Sequence, residues 1–238
     1  MGGKDTNIII NGGTVVAKGS YQKGEWDTLL GGSGIGTVNG SVTINGGNVT
    51  ATGGYENAGI GSCTTNYYFG TITINGGNVT ANSGGSNWVT CNSLSYPYGG
   101  VGIGGTAGNI IIKGGNVTAN SPYGAGIGSF ASGSGQKVNI NISGGTVHAS
   151  CTGYSGSSGT QAFRFGAGIG LGINGTNPCT IHISGGTIFT NCLGTDSTPN
   201  SDIGSTSPLK RKSDLTGTTI DGNAVIFNDG LRYATTGT

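Results

Sequence analysis

Residues 42–62 read VTINGGNVTATGGYENAGIGS, and the phrase returns along the whole chain: an alternating β-run, a double glycine, a second alternating run, a variable segment, then Gly-Ile-Gly. The double glycines fall at Gly12-Gly13, Gly46-Gly47, Gly76-Gly77, Gly114-Gly115, Gly144-Gly145 and Gly185-Gly186. The closing element falls at Gly34-Ile35-Gly36, Gly59-Ile60-Gly61, Gly102-Ile103-Gly104, Gly126-Ile127-Gly128 and Gly168-Ile169-Gly170, and in altered form at Asp202-Ile203-Gly204. A period of 30 to 41 residues marks a stack of one supersecondary unit that cannot bury its apolar face without neighbours.

Alternation by two picks out the inward set. Before the glycines come Ile8/Ile10, Val42/Ile44, Ile72/Ile74, Ile110/Ile112, Ile140/Ile142 and Ile181/Ile183. After them come Val15, Val49, Val79, Val117, Val147 and Ile188, with Ala17, Ala51, Ala81, Ala119 and Ala149 two residues on; the third run adds Ile35, Ile60, Ile103, Ile127, Ile169 and Ile203. Each file holds one residue type or a near isostere, as direct stacking of equivalent positions requires. The expected fold is therefore all-β: a right-handed parallel β-helix, right-handed because parallel crossovers are, with about six three-stranded coils. We expect one domain over 1–238, with coils over 7–205 and a C-terminal capping segment over 206–238, where 219–227 reads as a degenerate half-coil. Asn11, Asn45 and Asn75 precede the double glycine and are placed to form an amide ladder between coils.

Composition narrows the function. Of 238 residues 53 are glycine, a level that would suggest disorder without a period. Charged residues make up 8% and the net charge is +1, so no basic face for nucleic acid is expected. The run Lys210-Arg211-Lys212 reads as a solvated turn. No stretch of 18 apolar residues is present, so no membrane insertion is expected. The chain enters its repeats at Asn7 without a leader, and its opening coil carries no polar cap; we expect a stretch of a larger surface protein with flanking domains. Five cysteines show no zinc spacing; Cys151 and Cys192 share a phase in adjacent repeats, which fits either a disulfide or a buried thiol file.

The repeated phrase resembles the glycine-rich repeats of large surface proteins from Gram-positive, often gut-dwelling, bacteria, and is broadly similar to β-helical carbohydrate-binding domains. The resemblance covers nearly all of residues 7–205 and rests on scaffold motifs. It implies the fold and an extracellular or cell-surface address, and transfers no functional residue.

Function has to be sought where the repetition breaks. Hydrolysis of a glycosidic bond needs two carboxylates at fixed separation, and a metal-assisted elimination needs an acidic cluster and a base. The outward positions of the first run are Ile9, Thr43, Thr73, Ile111, Asn141 and His182; those of the second include Asn48/Thr50, Asn78/Thr80, Asn116/Thr118, Thr146/His148 and Thr187/Phe189. None is acidic. The first glycines of the third run leave bare backbone on its outer face, either a floor for an extended ligand or a strip taken up by the chain's own packing. The segments between second and third runs collect Trp26, Tyr55, Trp88, Tyr96, Tyr98, Tyr123 and Tyr154, planes suited to sugar rings, and Arg164, suited to a carboxylate. These are the expected ligand-binding residues. The weak metal candidates are Glu25, Asp27 and Glu56, whose oxygens would suit Ca²⁺; no other cofactor is expected.

The balance favours a non-catalytic carbohydrate-binding or adhesive module or stalk, with polysaccharide or host glycan as partner. The alternative is a polysaccharide hydrolase or lyase with a loop-borne acidic site at Glu25, Asp27 and Glu56. A third reading, ice binding by stacked threonines, is interrupted by His148 and Phe189.

Overall fold

A computed structural model describes residues 1–23, 29–62, 68–84, 88–91, 94–97, 100–122, 124–129, 137–152, 166–172, 179–192, 203–204, 219–220 and 225–227. The described secondary structure is entirely β. The runs before the double glycines, from Asn7–Ile10 and Ser41–Ile44 through Tyr68–Ile74 and Ala107–Ile112, form a first parallel face. The runs after them, from Thr14–Lys18 and Asn48–Thr52 through Asn78–Asn82 and Asn116–Ser121, form a second. In the fifth and sixth coils the two runs fuse into strands Val138–Cys151 and Cys179–Cys192, bent at the double glycine, so both faces belong to one folded sheet. The third runs, Ile60–Gly61, Ile103–Gly105, Ile127–Ser129, Ile169–Gly170 and Ile203–Gly204, form a five-stranded parallel sheet that Ile35 joins by a bridge to Ile60. The chain is a parallel β-helix.

The stacking register is the one the repeats require. Val42 pairs with Ile72 and Ile72 with Ile110, Val49 with Val79 and Val79 with Val117, and Ile103 with both Ile60 and Ile127. The isoleucines of the third file and the valines and alanines of the second face are buried from the second coil onward. Each fully buried Ile or Val is worth about 1.5–3 kcal/mol of transfer free energy, so the files supply the main cohesion between coils. At the last coil, Thr219-Ile220 pairs with His182-Ile183 and Val225–Phe227 with Gly186–Ile188.

Four features differ from the sequence reading. First, Met1–Asp5 is already part of the stack. The bridge from Lys4 to Val38 and the bond from the Gly36 amide to the Met1 carbonyl (2.9 Å) put Met1-Gly2 beneath Ile35-Gly36, so this segment forms a third-face run below the first repeat. Second, two of the variable segments fold as antiparallel hairpins, Tyr21–Lys23 with Leu29–Gly31 and Trp88–Cys91 with Leu94–Pro97.

Third, Phe69 is a core residue. It is wholly buried where Gly105 and Gly108 leave room; a Cβ on Gly108 would lie 2.6 Å from its ring. Fourth, of the two readings given for the glycine strip of the third run, packing by the chain itself holds and the open floor does not. Gly34, Gly59, Gly102 and Gly126 are buried, and a Cβ on them would meet the Thr52, Asn82, Asn120 and Ser150 amides at 2.7, 2.6, 2.8 and 2.7 Å. The third sheet closes directly onto the ends of the second-face strands, and period-two logic misplaced these residues because the run is too short to keep its alternation.

The second glycine of that run is dictated by the coil above. Gly61 has φ 141°, and a Cβ there would fall on the carbonyl of Gly104 in the next coil. Gly12, at the edge of the stack, has nothing within 4 Å of the equivalent point. Gly61→Ala is expected to cost about 3 kcal/mol or more, lowering Tm by roughly 6–12 °C. Gly12→Ala stays within about 0.5 kcal/mol. Thermal unfolding of the two variants by circular dichroism, with equal losses counting against the stacking argument, checks this.

Candidate functional site: polar ladders, a corner groove and the Glu56 turn

Outside the core files, the same register stacks polar side chains, and they bond along the stack. At the double-glycine corner Asn75 donates to Asn45 and Asn45 to Asn11, both at 2.7 Å, the ladder expected from sequence. Just beyond the corner Asn116 donates to Asn78 (3.1 Å) and Asn78 to Asn48 (2.9 Å). Near the end of the second face Ser150 donates to Asn120 (2.7 Å) and Asn120 to Asn82 (2.9 Å). On the first face Asn139 donates to Asn109 (2.9 Å), which also reaches the Tyr68 hydroxyl (3.1 Å). The last three ladders were legible in principle, since Asn48, Asn78 and Asn116 occupy one phase after Gly-Gly. An amide in such a ladder spends one N–H and one oxygen lone pair on its neighbours and keeps a second of each for a ligand.

A shallow groove of about 490 Å³ runs along this corner across four coils, between the Gly47, Gly77, Gly115 and Gly145 file and the Asn48, Asn78 and Asn116 file that ends at Thr146. Its floor cannot take side chains: a Cβ on Gly77 would lie 2.7 Å from the Gly47 carbonyl oxygen, and Gly77 has φ 92°. Farther along the second face His148 stacks on Phe189 of the next coil, centroids 4.3 Å apart and planes 2° from parallel.

The sequence-predicted ligand residues fall in three groups. Trp26, Tyr98, Tyr123, Tyr154 and Arg164, with the acids Glu25 and Asp27, lie outside the described residues. Trp88 and Tyr96 sit on opposite strands of one hairpin, Trp88 paired with Pro97 and Tyr96 with Val89. Tyr55 and Glu56 occupy a tight turn against the stack. Among the described residues no group of three or more His, Cys, Asp or Glu is placed to hold a metal ion.

The Glu56 turn is built by Asn57, which is fully buried and donates from its side chain to the Tyr55 carbonyl at 2.5 Å. Its amide donates to the Gly54 carbonyl (3.0 Å), while its own carbonyl accepts from the Gly84 amide (3.0 Å). Glu56 is left with φ 57°, a left-handed conformation uncommon for a residue with a side chain. Burial pushes its carboxyl from the usual 4.5 up to about 7. Among the thiols, Cys179 is buried and pushed up to about 12, too high for a thiolate at neutral pH, while buried Cys151 stands in register with Cys192.

Compared with known proteins, the β-helix repeat family model matches residues 8–40, 42–62, 110–134 and 140–173. Searches of curated proteins and of solved structures give no match. The family match supports the observed fold, a stack of β-helical repeats.

The raised Glu56 pKa has a stability consequence. Between about pH 4.5 and pH 7 the folded chain binds more protons at Glu56 than the unfolded chain, so this group's contribution to stability falls as pH rises through that window. Tm measured across it should decline in the wild type and decline less in Glu56→Gln. Parallel profiles for the two proteins would remove the assignment.

Proposed function

We propose that this β-helix is a non-catalytic extracellular or cell-surface module that binds polysaccharide or host glycan, or displays such binding from a rigid stalk. The observation that carries the reading is the outer surface: equivalent outward positions of successive coils present amides and hydroxyls in register, and none of the outward positions on the first two faces is acidic. Amide and hydroxyl rows offer donors and acceptors at the inter-strand repeat of about 4.8 Å, which suits a ligand that is itself a polymer of hydroxylated rings. The corner groove runs parallel to the stack and could seat one extended chain across four coils. Loop aromatics, Trp26 and Trp88 foremost, add ring planes beside the scaffold in this proposal. A β-helix repeat is the scaffold of binding modules and of polysaccharide-cleaving enzymes alike, so the family match is compatible with the reading without selecting it.

The test is a glycan array and polysaccharide pull-down with wild type, Trp26→Ala/Trp88→Ala and Asn78→Ala/Asn116→Ala. Binding that drops about tenfold in either double variant supports the module. Absence of binding to any glycan leaves only the stalk.

One observation favours a second reading. A carboxyl titrating near 7, as at Glu56, is the state a general acid needs. With Glu25 or Asp27 as its partner, the chain would be a polysaccharide hydrolase or lyase with its site outside the strand faces. Release of oligosaccharides by the wild type that falls at least about a hundredfold in Glu56→Gln would establish it. Absence of release from a broad substrate panel would remove it.

A further inference from the structure

Residues 43–51 and 73–81 are identical, each reading TINGGNVTA, and each carries an Asn-Gly step at the same corner: Asn45-Gly46 and Asn75-Gly76. The two stretches lie in successive coils in register, Ile44 beside Ile74. Asn45 and Asn75 are exposed, and each donates its backbone amide to the coil below, to the Ile10 carbonyl (2.7 Å) and the Ile44 carbonyl (2.8 Å). Among the described residues the backbone amides of Gly46 and Gly76 have no acceptor. Glycine brings no Cβ to shield that nitrogen.

An Asn-Gly step in this state can react with itself. The glycine nitrogen loses its proton to hydroxide and attacks the asparagine Cγ. The N–Cγ bond forms, the Cγ–Nδ2 bond breaks, and ammonia departs with the proton the glycine gave up, leaving a five-membered succinimide. Water then opens the ring. Addition at Cγ gives aspartate; addition at the α-carbonyl gives isoaspartate, whose main chain runs through Cβ and Cγ. No oxidant or cofactor enters. For the bond to form, the side chain must leave its rotamer and swing Cγ onto the nitrogen, so whatever holds the amide in place slows the reaction.

The ladder holds these two amides unequally. Asn45 donates to Asn11 and accepts from Asn75, both at 2.7 Å, so it is fixed from two sides. Asn75 donates to Asn45 but accepts from no described residue, because the next coil carries Lys113 at this position. Since the flanking sequences are the same, this difference belongs to the stack.

We propose that this corner is a site of spontaneous deamidation with a built-in order: Asn75 converts first, and its conversion releases Asn45. An ionised aspartate or isoaspartate at position 75 has no side-chain N–H, so the bond to Asn45 is lost with the ammonia. Conversion then travels toward the first coil, the direction in which the donors point. It places carboxylates in a row of neutral amides. Where the product is isoaspartate, it also adds a main-chain atom beside Gly77, whose φ is 92° and whose neighbour in the coil below is the Gly47 carbonyl. The proposal is independent of glycan binding.

The experiment incubates the folded chain at mildly alkaline pH and follows each site by mass spectrometry of chymotryptic peptides, which separate Asn45 from Asn75 because Tyr55, Tyr68 and Phe69 lie between them. The readout is the mass gain of NH₂ replaced by OH, with fragmentation distinguishing isoaspartate from aspartate. In denaturant the two sites should convert at equal rates. In the folded protein Asn75 should lead Asn45 by about three- to tenfold, the weight of one neutral hydrogen bond. Asn75→Ala should speed Asn45 by a similar factor, and Lys113→Gln should leave the order unchanged. Matching circular dichroism melts of these exposed-site variants and the wild type show that the fold is kept.

Equal rates at the two sites of the folded wild type overturn the proposal, as does a lead by Asn45. So does an Asn45 rate that Asn75→Ala leaves unchanged. Loss of the Asn75 lead in Lys113→Gln assigns the order to the lysine and overturns the ladder's part. No conversion of the folded chain while the denatured chain converts fully overturns the site itself.

Discussion

The constraint on which everything else depends is the approach of one coil's backbone to the next. At the third run the carbonyl of each coil occupies the space where a Cβ of the coil below would sit, and at Gly61, Gly104 and Gly128 only glycine leaves that space vacant. Along the first and second faces the approach is the ordinary parallel-strand spacing, which isoleucine, valine and alanine fill from within. Both demands recur at the same phase in each coil, so the sequence repeats wherever a neighbour is close and varies where none is. The constant element is the double-glycine corner, and the length differences between repeats are taken up at the other two corners.

The functional surface follows from the same register. A side chain facing out of one coil finds its equivalent directly above and below, so a preference for asparagine or threonine becomes a continuous row. Acidic residues would form rows of like charge at about 4.8 Å, which are destabilising; asparagine gains a hydrogen bond from the same arrangement. That gives a physical reason for faces of this chain being amide- and hydroxyl-bearing. It also explains why charge, where it occurs, lies at the ends and corners: Lys4 and Lys18 at the edge, Glu56 in a turn.

How much could be read beforehand depended on how long each element held its alternation. The four- and five-residue runs around Gly-Gly keep a clean period of two, so their inward files and the Asn11–Asn45–Asn75 ladder were readable. The third run is two or three residues long, and its first glycines, assigned to an outer face, are in fact packed on Thr52, Asn82, Asn120 and Ser150. Met1–Asp5 escaped notice because its place in the stack is secured by backbone bonds and by Gly2, with no isoleucine to mark it. Phe69 was invisible for a related reason: the room it fills comes from Gly105 and Gly108 in the coil above. Of the candidate site, the repeat puts Tyr55 and Glu56 in the segment between second and third runs, while the tight turn there and the desolvation of Glu56 depend on packing that no local sequence pattern encodes.

The ladders carry a further consequence. From Ser41 to Asn7, Asn45 to Asn11, Asn78 to Asn48, Asn120 to Asn82 and Asn139 to Asn109, the donor always points to the preceding coil. Side-chain dipoles arranged this way add head to tail and polarise one another, as peptide units do in a helix. Each row therefore has electrical polarity: an unspent N–H lies at its end nearer the first coil and an unspent oxygen at the other. Screened within about 8 Å at physiological salt, this field is felt only by groups at the ends. There it makes the two ends of a row unequal in their attraction for charge.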